Sequence, residues 1–445
     1  MIVNDRRMLR QVVGSSLVGS TIEWYDFFLY GVIAGIVLNK LYFPVNDPLI
    51  SILLAYATFA VGFITRPLGG IIFGHFGDRI GRKSMLIITL SLMGIATALI
   101  SVIPTYQQIG VWAPIILLLL RVIQGIGLGG EWGGAVLMTF EHAKPSSRGL
   151  YASLPQIGLS IGLLLSSGIV GALSSLLTNS QFMSWGWRVA FAISTIMIFI
   201  GLWIRIKVSE SPEFAEIKKY NRESRVPFKE MWRGHTGNIL AGMGARYIDG
   251  VFFNVMGVFS ITYLTNNIHI SRTTALLGVS AASFVMCFFI PLFGYLSDRI
   301  GRARVYGYAS IITGCSSLPA FWLMSSSGSN VLLIWLSIII PFGIFYAAVY
   351  GPEAALFAEL FDTRVRYTGM SFVYQFSGIF ASGITPIIAT ALIKLDGGSY
   401  IYMTLYVILT GIVSALSAWW IYSRQTQSMQ RSYKEDFVIT ESSKL

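Results

Sequence analysis

Eight ionisable side chains interrupt otherwise apolar stretches: Glu23, Asp26, Arg66, Arg121, Glu131, Arg246, Asp249 and Glu353, with Arg188 near the edge of another. A charge held mid-bilayer costs roughly 2.5–3.5 kcal/mol on insertion scales, so each of these residues should face a cavity or a partner. Glu23 and Asp26 stand three apart and share a helix face, as do Arg246 and Asp249. Arg121, Gln124, Leu128 and Glu131 follow i, i+3, i+7, i+10 and make one stripe; Tyr346, Tyr350 and Glu353 make another.

Five carboxyls stand against three arginines (Arg66, Arg121, Arg246) among the deeper groups. Ionising all five leaves net negative charge in low dielectric, so at least one carboxyl is expected to carry a proton part of the time. That is proton-coupling chemistry. Asp26, midway through its stretch, is the first candidate, then Glu131, with Glu23 on the Asp26 face. The planar fork of Arg121 suits a carboxylate, either a substrate's or that of Asp26 in exchange. Tyr30, Gln124, Gln156 and Tyr350 are candidate substrate contacts. Arg246 and Asp249 are read either as substrate contacts or as a static tie.

Helices must position these groups. Hydrophobic residues make up 54% of the 445 and charged residues 12%, and mean hydropathy is +0.66. A water-facing surface carries roughly 25–35% charge, so lipid is the solvent for most of the chain. About twelve stretches reach the ~20 apolar residues that a span needs: roughly 12–38, 49–75, 84–103, 113–140, 149–175, 185–207, 236–264, 273–296, 304–325, 331–359, 366–393 and 399–423. They are continuous rather than alternating, which predicts helices and not a barrel.

Alternate loops are basic. They hold Arg6, Arg7 and Arg10; Arg79, Arg82 and Lys83; Lys144 and Arg148; Lys207, Lys218, Lys219, Arg222, Arg225 and Lys229; Arg299, Arg302 and Arg304; Arg364 and Arg366; and Arg424 and Arg431. The intervening loops hold little beyond Lys40, Arg272 and Lys394. The positive-inside rule then puts both termini in the cytoplasm. The N-terminal apolar stretch reads as a first span rather than a cleaved signal. The expected organisation is a first half over 1–207, a cytoplasmic linker with a short surface helix over 208–235, a second half over 236–424, and a polar, flexible cytoplasmic tail over 425–445.

Gly74–Lys83 (GHFGDRIGRK) follows the second stretch, and its Asp78-Arg79-Ile80-Gly81-Arg82 core recurs as Asp298-Arg299-Ile300-Gly301-Arg302 after the eighth. Asp78, Arg79, Arg82, Asp298, Arg299 and Arg302 are the expected latch, made and broken as two halves rock. Glu353, nearer the same side, is a further gate candidate. Glycines four apart in Gly125–Gly134 predict close helix packing. Cys287 and Cys315 lack CxxC spacing, and the four histidines form no zinc-peptidase pattern. No cofactor or metal is expected. The net charge of +11 comes without a basic face interleaved with aromatics, so nucleic acid is not an expected partner. Membrane lipid is. An enzyme would need a nucleophile–base set, and none is present in the pattern.

Several segments together resemble a known family. They are Glu23-Trp24-Tyr25-Asp26-Phe27; Arg66-Pro67-Leu68-Gly69-Gly70 running into the Gly74–Lys83 loop; Arg121-Val122-Ile123-Gln124-Gly125; Gly129-Gly130-Glu131-Trp132-Gly133-Gly134; Trp185-Gly186-Trp187-Arg188; Pro352-Glu353; Glu359-Leu360-Phe361; and Arg364-Val365-Arg366-Tyr367-Thr368-Gly369. The chain resembles the major facilitator superfamily and, within it, the metabolite:proton symporter family of shikimate, α-ketoglutarate, citrate and proline/betaine carriers, nearest the shikimate type. The second loop departs from the first, with Ser297 in place of Gly77 and Ala303 in place of Lys83.

The resemblance implies an all-α membrane protein with two pseudo-symmetric six-helix bundles. Spans one, four, seven and ten would line a central cavity, and transport would be by alternating access. It implies a monomer in a bacterial inner membrane that carries a small polar metabolite with protons, an organic anion or hydroxylated carboxylate first. A zwitterion symporter, a proton-driven exporter and a facilitated uniporter remain open.

Overall fold

The computed structural model describes residues 2–44, 48–220, 224 and 226–442. Arg222 and Arg225 of the expected basic linker lie outside the described residues. Among the described residues, eleven helices are long and apolar enough to cross a membrane. In the first half these are α1 (Arg7–Tyr42), α2 (Ala57–Ile80), α3 (Arg82–Val102), α4 (Trp112–His142), α5 (Pro145–Leu176) and α6 (Asn179–Ile206). In the second they are α7 (Thr236–Asn266), α8 (Arg272–Ile300), α10 (Val331–Ala358), α11 (Arg366–Leu395) and α12 (Ile401–Gln427). Between α8 and α10 runs α9 (Arg302–Ser326), a helix of 25 residues. It is less apolar because Ser310, Thr313 and Ser317 are buried in it. The Ser310 and Ser317 hydroxyls donate to carbonyls of their own helix, and that of Thr313 donates to Phe345 O of α10.

Each half is a bundle. In the first, α2 packs along α4, α1 along α5, and α3 against α4 and α6; in the second, α12 packs along α9 and α7, and α8 along α10. The halves meet along α2 with α11 and α5 with α8. The glycine spacing in α4 is used for packing: a methyl group at Gly129 would collide with the Arg66 carbonyl, and one at Gly69 with that of Ile126. The repeated loops turn at Gly81 (φ 132°) and Gly301 (φ 107°), backbone that only glycine adopts without strain.

The linker contains two short helices rather than one, Pro212–Lys219 and Pro227–Gly234. Just before the first, the Glu210 carboxylate accepts from the Arg82 and Lys83 backbone N–H groups at 3.1 and 3.2 Å and so caps α3. The last helix continues to Ser442, because its polar stretch holds neither proline nor glycine to end it.

Candidate functional site

In the first half, a hydrogen-bonded chain runs across three helices to Asp26 on α1. Arg121 Nη1 of α4 donates to Gln124 Oε1 at 2.7 Å, and Gln124 Nε2 donates to Thr97 Oγ1 of α3 at 2.7 Å. The Thr97 hydroxyl donates to Asp26 Oδ2 at 2.9 Å, and Ser194 of α6 donates to Oδ1. Every bond from Arg121 to Asp26 points the same way. Arg121 lies over Tyr30, its Cζ 3.8 Å from the ring centroid. Its Nε and Nη2 meet no acceptor among the described residues. The Tyr30 hydroxyl is 2.7 Å from Thr58 Oγ1. Glu23, on the same face as Asp26, is 1% exposed and has an unpartnered Oε2.

The second half has its own charged cluster. Arg246 pairs with Asp249 one helix turn on, and its Nε is 3.5 Å from Glu353 Oε1 on α10. The Tyr346 hydroxyl donates to Asp249 Oδ1 at 2.5 Å. Arg246 Cζ is 4.0 Å from the Tyr374 ring, and Tyr346 stacks on Tyr350.

The halves touch between these clusters. Gln156 accepts from Trp132 Nε1 at 3.1 Å and donates to the Tyr350 carbonyl in the other half. Trp132 stacks on Tyr374 with centroids 3.6 Å apart. Tyr367 donates its hydroxyl to Gly130 O at 2.6 Å.

The basic end is closed by reciprocal caps. Asp78 accepts from the Tyr367 and Thr368 backbone N–H groups at 3.3 and 2.9 Å and from the Thr368 hydroxyl at 2.8 Å. Asp298 accepts from the Gly149 and Leu150 N–H groups at 2.7 and 2.9 Å. Each half's loop aspartate thus caps a helix start in the other half. Around these caps, Glu141 binds Arg82 at 3.2 Å and Arg366 at 3.1 Å. Arg302 binds Asp298 at 2.9 Å and also Glu359. Glu213 of the linker helix pairs with Arg148 and Arg366. Burial pushes the Glu213 carboxyl up, but the Arg366 and Arg148 charges and bonds from Arg366 and Thr363 outweigh it and hold the group below the usual carboxylate range. This tie is therefore complete above the ordinary carboxylate range and is lost only as pH falls through the depressed value.

Asp78→Asn leaves the shape and removes the charge behind three hydrogen bonds, each worth about 1.5–3 kcal/mol when charge-assisted. In a Cys287→Ser, Cys315→Ser background, a cysteine at Ser371, buried at this seam, should react with a maleimide about tenfold faster or more once Asp78 is Asn. An unchanged rate would remove Asp78 from the latch.

A family model described as Sugar (and other) transporter matches residues 13–243, and one described as Major Facilitator Superfamily matches residues 239–441. The chain belongs to the major facilitator superfamily. It is 39% identical over 411 residues to the shikimate transporter of Escherichia coli (strain K12), covering 92% of this chain and 93% of that one. It is 38% identical to the inner membrane metabolite transport protein YhjE of the same organism, covering 87% and 88%. It is 33% identical to the proline/betaine transporter of Salmonella typhimurium (strain LT2), covering 94% and 84%. The fold is also that of the proton:xylose symporter XylE bound to 6-bromo-6-deoxy-D-glucose, with a TM-score of 0.78 at 16% identity over 94% of this chain and 96% of that one. It is a multi-pass membrane transporter, and its relatives are not enzymes.

Within this superfamily member, the structure brings Asp26, Arg121 and Gln124 together, places Tyr30 under Arg121, and sets Gln156 against Tyr350. Other placements correct the sequence reading. Glu131 does not join Arg121 or Asp26. Arg205 of α6 donates to both its oxygens, and Thr89 donates at 2.9 Å. Arg205, near the end of the expected 185–207 stretch, is missing from the candidate charges; in the fold it is 3% exposed and makes four deep arginines, not three. Glu353 sits with Arg246 rather than with the basic-end network. Arg79 and Arg299 are exposed and stand outside the latch, because the residue after an inward-facing aspartate lies ~100° around the helix. Arg299 instead covers the Tyr295 ring, 4.7 Å from its centroid. Thr97, Ser194, Glu141 and Glu213 carried no spacing signal. Arg188 donates to the Ser101 and Ile103 carbonyls at 2.8 Å each and ties down the end of α3.

Proposed function

We propose that this transporter imports a small hydroxylated carboxylate together with a proton, by alternating access between halves 1–207 and 236–424. The observation that carries this is the one-directional chain from Arg121 to Asp26, with two Arg121 donors left over. With Asp26 ionised, the chain ends on a negative charge and draws the guanidinium's field toward it. A proton on Asp26 removes that end and frees the Arg121 fork for an incoming carboxylate. The charge count supports the same coupling. Five deep carboxyls (Glu23, Asp26, Glu131, Asp249, Glu353) stand against four arginines (Arg66, Arg121, Arg205, Arg246). An anion that enters with one proton leaves the net charge of the low-dielectric interior unchanged.

The positive-inside rule makes the basic end cytoplasmic, with both termini there. The form seen, sealed at that end, is then the one that receives substrate from outside. We take the working unit as a monomer in the inner membrane. The similarity to a shikimate transporter favours a hydroxylated acid; that to proline/betaine transporters makes a zwitterion the second reading.

Uptake of labelled shikimate, α-ketoglutarate, citrate, proline and glycine betaine into proteoliposomes, with and without an inward proton gradient, tests the proposal. A hydroxy acid accumulated only with the gradient is the expected result. Equilibration that ignores the gradient would leave a uniporter, and accumulation of betaine alone would replace the anion.

A further inference from the structure

Phe59, Gly62, Phe63 and Arg66 follow helical spacing on α2 and form one stripe. Arg121 lies at one end of it. A methyl group at Gly62 would come within 2.6 Å of Arg121 Nη2, and Arg121 Cζ is 5.7 Å from the Phe59 ring. Arg66 lies at the other end, its Cζ 4.5 Å from the Phe27 ring, 4.7 Å from that of Phe63 and 5.6 Å from that of Trp24. Between the two guanidiniums the rings of Phe27, Phe59 and Phe63 pack 4.7–5.5 Å apart.

Arg66 is 5% exposed, and its Nε and Nη2 meet no acceptor among the described residues. Glu23 attracts it without forming an ion pair. The aromatic cage holds the guanidinium by cation–π contact but satisfies none of its N–H groups, and buried donors without acceptors are costly. Arg246, close enough across the midline to repel Arg66, is already engaged by Asp249 and Glu353. Arg66 and Arg121 are thus two guanidiniums with donors to spare, separated by an apolar wall.

We propose that Arg66 is the second anchor of the transported anion. Arg121 takes the carboxylate, Arg66 takes oxygen atoms at the opposite end, and the hydrocarbon middle lies on the phenylalanine wall. The proposal rests on the carboxylate reading above and narrows it. The two anchors stand one to two helix turns apart, ~5–11 Å. They fit a small ring or short chain with a carboxylate at one end and hydroxyl or keto oxygens at the other. A betaine would bring its cation against Arg66 and be repelled.

The test is equilibrium binding of shikimate and of cyclohex-1-ene-1-carboxylate, which keeps the ring and carboxylate but lacks the hydroxyls, to the purified full chain. The wild type should bind shikimate about tenfold more tightly or better. Arg66→Gln should bring that ratio near one by weakening shikimate alone, and Arg121→Gln should weaken both acids. Arg66→Lys, which keeps charge and bulk, should lower the ratio about threefold and decides the matter if the glutamine variant fails to fold. Equal weakening of both acids by the Arg66 variants, an unchanged ratio, or a wild type that does not distinguish the acids would overturn the role of Arg66 alone. A wild type that binds neither acid would overturn the carboxylate reading and this proposal with it.

Discussion

Arg121→Gln should lower uptake of the proposed carboxylate substrate by about a hundredfold or more. Two charge-assisted hydrogen bonds to a carboxylate contribute roughly 1.5–3 kcal/mol each, and 1.4 kcal/mol is a factor of ten. The loss should fall on uptake rather than on folding. Arg121 makes no ion pair among the described residues; its contacts are Gln124 and the Tyr30 and Phe59 rings, and a glutamine side chain can still reach Gln124. Arg121→Lys keeps the charge but loses the planar fork, so it should sit between the two, about tenfold down. Initial rates in proteoliposomes, with thermal unfolding as the folding control, measure both variants. Uptake within threefold of wild type for Arg121→Gln would remove Arg121 from the substrate site.

On the proposed proton coupling, Asp26→Asn should abolish accumulation while leaving exchange. Asparagine has the shape of a protonated aspartate and no charge. The variant is therefore fixed in the form that accepts substrate, and it cannot release a proton to reset. For one proton per anion, an electroneutral cycle, a one-unit pH gradient supports at most about tenfold accumulation, because one pH unit is 1.36 kcal/mol. That ratio should fall to unity in the variant. Counterflow of labelled against unlabelled substrate should persist, and its rate should lose the wild type's dependence on external pH, which rises toward acid as Asp26 takes up its proton. Glu131 is the control: Arg205 occupies both its oxygens, so Glu131→Gln should lower stability more than coupling. A variant at Asp26 that still concentrates substrate tenfold would move the proton site elsewhere, with Glu23 the next group to examine.

The spans were legible because lipid imposes a long, continuous apolar pattern that no other environment requires. The α9 helix, Arg302–Ser326, covers the expected stretch 304–325. The repeated loop pointed to paired halves, and in the structure Asp78 of α2 caps α11 as Asp298 of α8 caps α5. Its two flanking arginines misled, since adjacent residues on a helix face different ways: Arg82 and Arg302, four residues after each aspartate, turn inward, whereas Arg79 and Arg299 do not.

The sequence by itself marked all but Arg205 of the groups that carry charge deep into the membrane, because each must overcome a large desolvation cost and so stands out against an apolar background; Arg205 lies too near a helix end to stand out. Only the tertiary structure decided their partners. Thr97 and Ser194 reach Asp26 from α3 and α6, Arg205 reaches Glu131 from α6, and Arg246 reaches Glu353 from α7 to α10. Spacing along one helix orders side chains only within that helix. A hydrogen bond between helices depends on their crossing and rotation, which are set by the packing of every other residue on both surfaces.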